Sequence, residues 1–395
     1  MGQSVLILGG YGVTGGLLAR LLLRESAVEV ILAGRSLAKA EAAAAALAGV
    51  FGEGRASARA ADAADPASLD AAFGGVDLVA VCSSTLEHVY TVANAALRAG
   101  ADYFDLQLST AKKFAALERL RGQIEVEGRC FITDGGIHPG LSAALIRALE
   151  PAFGRLERAD AAGLLRADWK AYDVSPVTVE ELIAEFKDYR VEALRDGAWT
   201  KVAWRAAQRR VDFGPYFGTY PCYLMYLEEL RRLPGVIPGL RDCGFYVSGF
   251  NRVVDLVLMP LGMVVMKVAP TRLGPPYSRL LVWGLRAFQK PPFGVVWQVD
   301  ADGTAPEAGD VGARPLNVRL RLIHEDGYFL TAAAAAACLL QYLDGSIRIP
   351  GVHLQALAVE PRRFLDDLQR LGVSVAVEGI DLGALLPSTP PPLSA

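Results

Sequence analysis

The sequence predicts an α/β protein: a doubly wound parallel sheet, joined to a second α+β domain built on a mostly antiparallel sheet. Three observations predict it. Short β-branched runs alternate with Ala/Leu-rich runs through the first third of the 395 residues, the pattern of strand–helix–strand units. A glycine-rich turn, Gly10 to Gly15, follows the first of those runs at once. From about Gly135 the alternation stops, Trp, Tyr, Pro and Arg become frequent, and strand-like runs are spaced by loops.

Taken in order, the strand runs are Val5–Leu8, Val28–Leu32, Arg55–Ala60, Val76–Val81, Ala101–Asp105 and Cys130–Thr133. Between them lie the helix runs Val13–Arg24, Ser36–Leu47, Pro66–Phe73, Leu86–Arg98 and Thr110–Glu127. Six parallel strands with five crossovers make a full doubly wound sheet. In the second domain Val253–Leu258 and Leu316–Ile323 read as strands. The apolar stretch Leu256–Met266 is too short for a helix to cross ~30 Å of hydrocarbon and is interrupted by Pro260 and Gly262, so it reads as a buried strand pair rather than a lipid-facing surface. An Ala-rich helix, Thr331–Leu343, stops at Asp344-Gly345 and is expected to pack back on the first domain. Pro361–Leu371 is a further helix with Pro at its start. The expected domains are 1–135, 136–330, a returning helical segment 331–386 and a Pro-rich tail 387–395.

Composition narrows the function. With 52% hydrophobic residues, 21% charged residues and a net charge of −3, the chain is neither disordered nor a basic nucleic-acid binder. The five cysteines, Cys82, Cys130, Cys222, Cys243 and Cys338, are odd in number and never form CxxC, so neither a disulfide framework nor a zinc knuckle is indicated. The first residues lack a charged leader segment, and Leu6 argues against N-myristoylation. The expectation is a cytoplasmic protein with a small-molecule substrate, no metal, no transmembrane segment, and homodimeric assembly.

Gly10-Tyr11-Gly12-Val13-Thr14-Gly15 is G-x-G-x-x-G in the context that gives it meaning, after a strand and opening a helix. Gly10 permits a tight turn, Gly12 lets backbone approach a pyrophosphate, and Gly15 lets the helix sit close on the strand. The anion then rests on the helix's unsatisfied N–H groups, with Tyr11, Val13 and Thr14 filling out the loop. At the end of the second strand, Ala33-Gly34-Arg35-Ser36 holds no carboxylate to accept a free ribose diol; Arg35 suits a 2′-phosphate instead, with Ser36 beside it. The Rossmann-type cofactor is therefore expected to be NADP(H). Asp62, with Asp65, either flanks the adenine or caps a turn, and Ser83 and Ser84 either approach ribose and phosphate or cap the following helix.

Read together, Leu8–Gly15, Leu32–Ser36, Val76–Val79, Ala99–Asp105 and Asp134–Gly140 resemble the saccharopine dehydrogenase-like family of NADP-binding oxidoreductases. The resemblance covers most of residues 5–145 and is looser beyond. It implies hydride transfer with a nicotinamide cofactor, to an imine in some members and to a conjugated C=C in others. In amino-acid-processing members an Asp commonly precedes the Pro-Gly of this last segment. Here it is His138, which points away from a zwitterionic substrate toward a less charged one.

Hydride transfer needs a proton donor near the substrate atom that gains charge. His138 is the leading candidate, since an imidazole with an ordinary pKa near ~6.5 titrates near neutral pH. Tyr103 and Asp134, with Asp105, sit at carboxyl ends of strands, where such sheets place their ligands. Tyr172, Tyr189, Tyr216, Tyr220 and Lys267 are weaker candidates for orienting substrate, none singled out by its spacing. The aromatic stretch Gly214–Tyr226 is either core or a substrate slot, and His324-Glu325-Asp326 reads as a turn rather than a metal site. Two alternatives to plain oxidoreduction remain: a transferase recycling a tightly held nicotinamide dinucleotide, and a non-catalytic NADP-binding redox sensor.

Overall fold

The computed structural model describes residues 3–171, 189–306 and 314–385; Tyr172 and the Pro-rich tail lie outside them. The described chain forms two compact units, one of residues 3–145 and 328–373 and the other of residues 146–327 and 374–385.

The first unit opens with β1 (Ser4–Leu8), α1 (Val13–Glu25), β2 (Glu29–Gly34), α2 (Leu37–Phe51), β3 (Ala56–Ala60), α3 (Pro66–Phe73), β4 (Leu78–Val81), α4 (Val89–Arg98), β5 (Asp102–Asp105), α5 (Ala111–Val126) and β6 (Cys130–Thr133). All are paired in parallel, and β1 lies between β2 and β4, where the strand order reverses. That reversal is the crevice at which open α/β sheets bind ligands. Val5, Leu6, Ile7 and Leu8 are all but inaccessible because helices cover both faces of a parallel sheet. The helix starts are written in side chains: Ser36 accepts the Lys39 N–H at α2, Asp65 the Ala67 N–H at α3 with Pro66 behind it, and Thr110 the Lys113 N–H at α5. At α1 the capping position is a glycine, Gly12, whose lack of a side chain leaves the first N–H groups open.

After the helix Ser142–Leu149, labelled α6, the second unit strings together β7 (Arg155–Arg166), β8 (Glu192–Arg195), β9 (Ala198–Lys201), β10 (Gln208–Asp212), β11 (Thr219–Met225), β12 (Asp242–Ser248), the helices α7 (Met259–Val268) and α8 (Pro270–Ala287), β13 (Gly294–Thr304) and β14 (Pro315–His324). Its sheet is antiparallel except where β12 runs beside β7. In β11, Cys222 and Leu224 point into the core while Tyr216, just before the strand, is exposed, so the aromatic stretch splits between interior and surface.

The Val253–Leu258 and Leu256–Met266 runs are not strands. They form one turn of π-helix, Val254–Leu258, continued by α7, and fold against α8 as a helical hairpin. Short apolar runs do not distinguish the two states by periodicity alone. What decides here is a buried stripe at helical spacing, Val254, Leu258 and Val265, which meets Tyr277, Leu281 and Leu285 of α8. Gly262 and Gly284 let the helices close up: a Cβ at Gly262 would fall 2.2 Å from the Tyr277 hydroxyl oxygen, and one at Gly284 2.3 Å from Leu258 Cδ1.

The chain then returns to the first unit through α9 (Gly327–Leu343), β15 (Gly351–Leu354) and α10 (Pro361–Leu371), and ends in β16 (Ser374–Glu378), which pairs with β14. β15 adds a seventh parallel strand beside β6, giving the order β15-β6-β5-β4-β1-β2-β3. Six strands were legible before Gly135; the seventh comes from more than two hundred residues downstream. It is fastened at the amino end of β5, where buried Asp102 accepts from Tyr342 Oη at 2.6 Å, Arg348 Nε at 2.8 Å and Cys130 N at 2.9 Å.

Candidate functional site

The β1–α1 turn is shaped by absences of side chain. Gly9 has φ +89°, donates to Ala33 O at 2.8 Å, and starts a tight turn closed by Gly12 N on Gly9 O at 2.9 Å. A Cβ on Gly10 would meet Leu32 Cδ2 at 2.7 Å and Ile7 O at 2.9 Å; one on Gly15 would lie 2.4 Å from Gly9 O. Both exceed van der Waals tolerance, so the turn exists in this form only with glycine at those positions. The result is an uncapped helix start lying at the strand-order reversal, with Val13 exposed beside it.

At the end of β2 the Tyr11 ring lies over Gly34, its hydroxyl oxygen 2.7 Å from where a Cβ would be, and it accepts the Ser36 N–H at 3.3 Å. Tyr11 therefore ties the glycine turn to the turn that presents Arg35, which is exposed at the carboxyl edge of the sheet. Ser36 is engaged as the α2 cap. Asp62 accepts the Ala64 N–H at 3.0 Å and stays within its own turn. After β4, the Ser83 Cβ backs directly onto Gly9, and Gln107 donates from Nε2 to Thr85 Oγ1 at 2.9 Å, holding this turn from the β5 side. Ser84 is exposed. Burial, reinforced by the charge of Asp105, pushes the Cys82 thiol up to about 12, which leaves it unreactive near neutral pH.

Beneath the ends of β5 and β6 lies a buried charged cluster. Lys113 Nζ donates to Asp134 Oδ1 at 2.5 Å, Gln107 O at 2.6 Å and Asp105 Oδ1 at 3.1 Å, which uses all three of its protons. Thr133 Oγ1 donates to Asp105 Oδ2 at 2.7 Å, and Ser109 Oγ donates to Asp134. Burial alone would lower the Lys113 ammonium, but the two carboxylates outweigh it and hold the group above its ordinary value. Asp134 is raised by its own burial despite Lys113. Asp134 also has φ +57°, a left-handed conformation rare outside glycine, and so begins the sharp turn into Gly135-Gly136. Tyr103 sits in the core of the unit, its ring stacked on Phe131 at 5.2 Å, and burial next to Asp105 keeps its hydroxyl protonated.

The loop from Gly135 to Gly140 carries His138. Gln355, just after β15, brackets it: Oε1 accepts the Gly136 N–H at 3.1 Å, and Nε2 donates to Gly136 O at 3.0 Å and Gly140 O at 3.1 Å. Burial pushes the His138 imidazole down to about 4, so it is neutral at pH 7, which alters the argument from an ordinary imidazole pKa.

The structure thus brings Gly10–Gly15, Arg35, Ser36, Ser83 and Ser84 together along one sheet edge, and puts Tyr103 and Asp134 in packed or ion-paired positions. Sequence reading missed Lys113 and Gln355. A signal existed for Lys113: it shares a helix face with buried Leu117, Leu120 and Ile124. Gln355 gave none. Among the described residues, no group of three His, Cys, Asp or Glu is placed to hold a metal ion, and His324 Nδ1 accepts the Asp326 N–H at 2.9 Å as a turn.

Residues 5–125 match the saccharopine dehydrogenase NADP binding domain family. No curated protein matches the chain. Among solved structures it is similar to apo saccharopine dehydrogenase (L-Glu forming) from Saccharomyces cerevisiae, with TM-score 0.65 and 15% identity over 96% of this chain and 100% of that one. Fainter likenesses are to a myo-inositol dehydrogenase from Corynebacterium glutamicum, with TM-score 0.42 and 13% identity over 94% and 95% of the two chains, and to an NADP-bound short-chain dehydrogenase/reductase from Veillonella parvula, with TM-score 0.24 and 19% identity over 28% and 49%.

Proposed function

We propose that this chain, whose residues 5–125 match the saccharopine dehydrogenase NADP binding domain, is an NADP-dependent oxidoreductase that exchanges hydride between NADP(H) and an imine or conjugated C=C of a small, fairly apolar metabolite. The observation that carries the reading is the β1–α1 turn, whose tight path requires glycine at positions 10 and 15 and whose capping position is the side-chain-free Gly12, which supports a diphosphate against the first N–H groups of α1. Bound NADPH supplies the hydride. The chain's own residues bind and orient. The N–H groups of Val13, Thr14 and Gly15 at the start of α1 would hold the diphosphate, and Arg35, steadied by the Tyr11–Ser36 link, would take the 2′-phosphate.

The loop that Gln355 and Lys113 fix presents His138. Being neutral, this imidazole stabilises growing negative charge by donating an N–H hydrogen bond, not by surrendering a stored cationic proton. It also offers no negative charge to hold an ammonium group, which supports an uncharged substrate.

The test combines a substrate panel with a variant. NADPH oxidation is followed with cyclic imines, α-keto acid plus amine pairs and enones. Arg35→Ala is expected to raise the Michaelis constant for NADPH by roughly tenfold to a hundredfold, the loss of a charge-assisted phosphate contact, while leaving that for NADH nearly unchanged. Unaltered cofactor preference removes the role of Arg35; silence across the whole panel removes the substrate class.

A further inference from the structure

The helical hairpin of the second unit turns a broad apolar surface outward. On α7 and the turn before it, Val257, Leu261, Val264 and Val268 recur at helical spacing and are 57%, 41%, 58% and 75% exposed. On α8, Leu273, Leu280 and Trp283 continue the surface. The hairpin does not need this face to fold, since its inward stripe already packs Val254 and Leu258 against Leu281 and Leu285. Large contiguous apolar exposure of this kind marks a surface with something to meet.

The charge around it says what. Between Asn251 and Lys290 the sequence holds six Arg or Lys residues against a single acid, in a chain that is net negative. Arg272, Arg279 and Arg286 are spaced by seven and so share one side of α8; the first two are exposed. At the hairpin's root a cavity of about 500 Å³ opens between Arg166, Arg210, Arg252 and Lys290, with Tyr220 beneath the Arg166 guanidinium at 5.1 Å. The lone acid, Asp255, is half-buried there, where it lines the cavity as one carboxyl among four cationic side chains and its Oδ1 accepts the Phe250 N–H at 2.8 Å. Trp283 of α8 and Phe288 just past its end pack edge to face at 5.3 Å, an aromatic pair suited to the boundary between headgroups and acyl chains.

We propose that this hairpin seats the protein on an anionic lipid surface, with its apolar face in the acyl boundary and its arginines and the basic cavity at headgroup level. It docks and does not span: among the described residues no helix is long and apolar enough to cross a membrane. A second copy of the chain is the less favourable occupant. A twofold contact would set the face against itself and bring like charges together, whereas a negative surface complements them.

The experiment needs no substrate. The full chain is sedimented with phosphatidylcholine vesicles, alone or containing phosphatidylglycerol at about 30%, in low salt and in ~0.5 M NaCl. The expected result is binding to the anionic vesicles that weakens with salt. Leu261→Asp/Val264→Asp and Arg272→Glu/Arg279→Glu should each weaken it by roughly tenfold or more, with NADPH affinity unchanged as the check on folding. Three results overturn the proposal: no binding to either vesicle, equal binding to neutral and anionic vesicles, or undiminished binding by both variants. Self-association in analytical ultracentrifugation that Leu261→Asp/Val264→Asp abolishes also overturns it, by giving the face to a second copy.

Discussion

A neutral imidazole at position 138 has consequences that can be titrated. In the unfolded chain this His takes up a proton near pH ~6.5; in the folded one it waits until about 4. Between those values the unfolded state binds more protons, so folding stability declines as pH falls through that window. At 1.36 kcal/mol per unit the whole effect is on the order of 3 kcal/mol. His138→Gln removes this titration, and its urea midpoint should change less between pH 7 and pH 4.5 than that of the wild type. A catalytic His138 likewise predicts a kcat profile without an acid limb near 6.5. The residue was visible in the sequence because of its place after the sixth strand; its protonation was not, because burial is a property of everything packed around it. Arg35 is the opposite case. Its chemistry is local to the end of one strand, and position alone sufficed to nominate it.

Between elements, Lys113 is the joint. One ammonium on α5 compensates Asp105 on β5 and Asp134 just beyond β6, and so holds the ends of both strands and the start of the His138 loop in one arrangement. Removing one partner from a buried ionic cluster usually costs ~3–5 kcal/mol, since the orphaned charges keep their desolvation penalty. Lys113→Met should lose about that much. The sign of its pH dependence follows from Asp134: burial already raises its carboxyl, and without the Lys113 ammonium the folded state favours it only while protonated. The variant should therefore lose stability as pH rises from about 4 to 7, measured by urea unfolding at several pH values. Helices α1 to α5 were legible as amphipathic or Ala-rich runs between β-branched ones, and their caps at Ser36, Asp65 and Thr110 were written in the side chains. The first arm of the hairpin, residues 254–268, was misread for an equally physical reason. Its β-branched composition favours strands, and only packing of α7 on α8 reveals the helical stripe.

For the molecule as a whole, the parallel sheet is completed from two distant parts of the chain. β15 seals the flank of β6, Tyr342 and Arg348 satisfy Asp102, and Gln355 clamps the loop at Gly136 and Gly140. None of this pairing could be read from residues 1–135, because nothing there names its partner two hundred positions away. A protein truncated after residue 326 should accordingly lack a stable first unit: Asp102 and the edge of β6 would be left unpaired, and NADPH binding by calorimetry should fall below detection. Recovery when residues 327–385 are supplied as a separate polypeptide would be the matching positive result.

The Gln355 clamp also fixes when, during synthesis, the His138 loop becomes fully anchored. A ribosome that has just passed the loop after the sixth strand has produced the glycine turn, Arg35, Lys113 and His138, yet only the start of that loop is held, through Lys113, until the glutamine emerges, after every strand of the second sheet but β16 has been translated. The nascent chain therefore holds an incompletely anchored sheet edge for much of its elongation. Maturation of this site is a late, essentially whole-chain event, and a pulse-chase assay should see protease resistance of the amino-terminal portion arise only after the glutamine has been released from the exit tunnel.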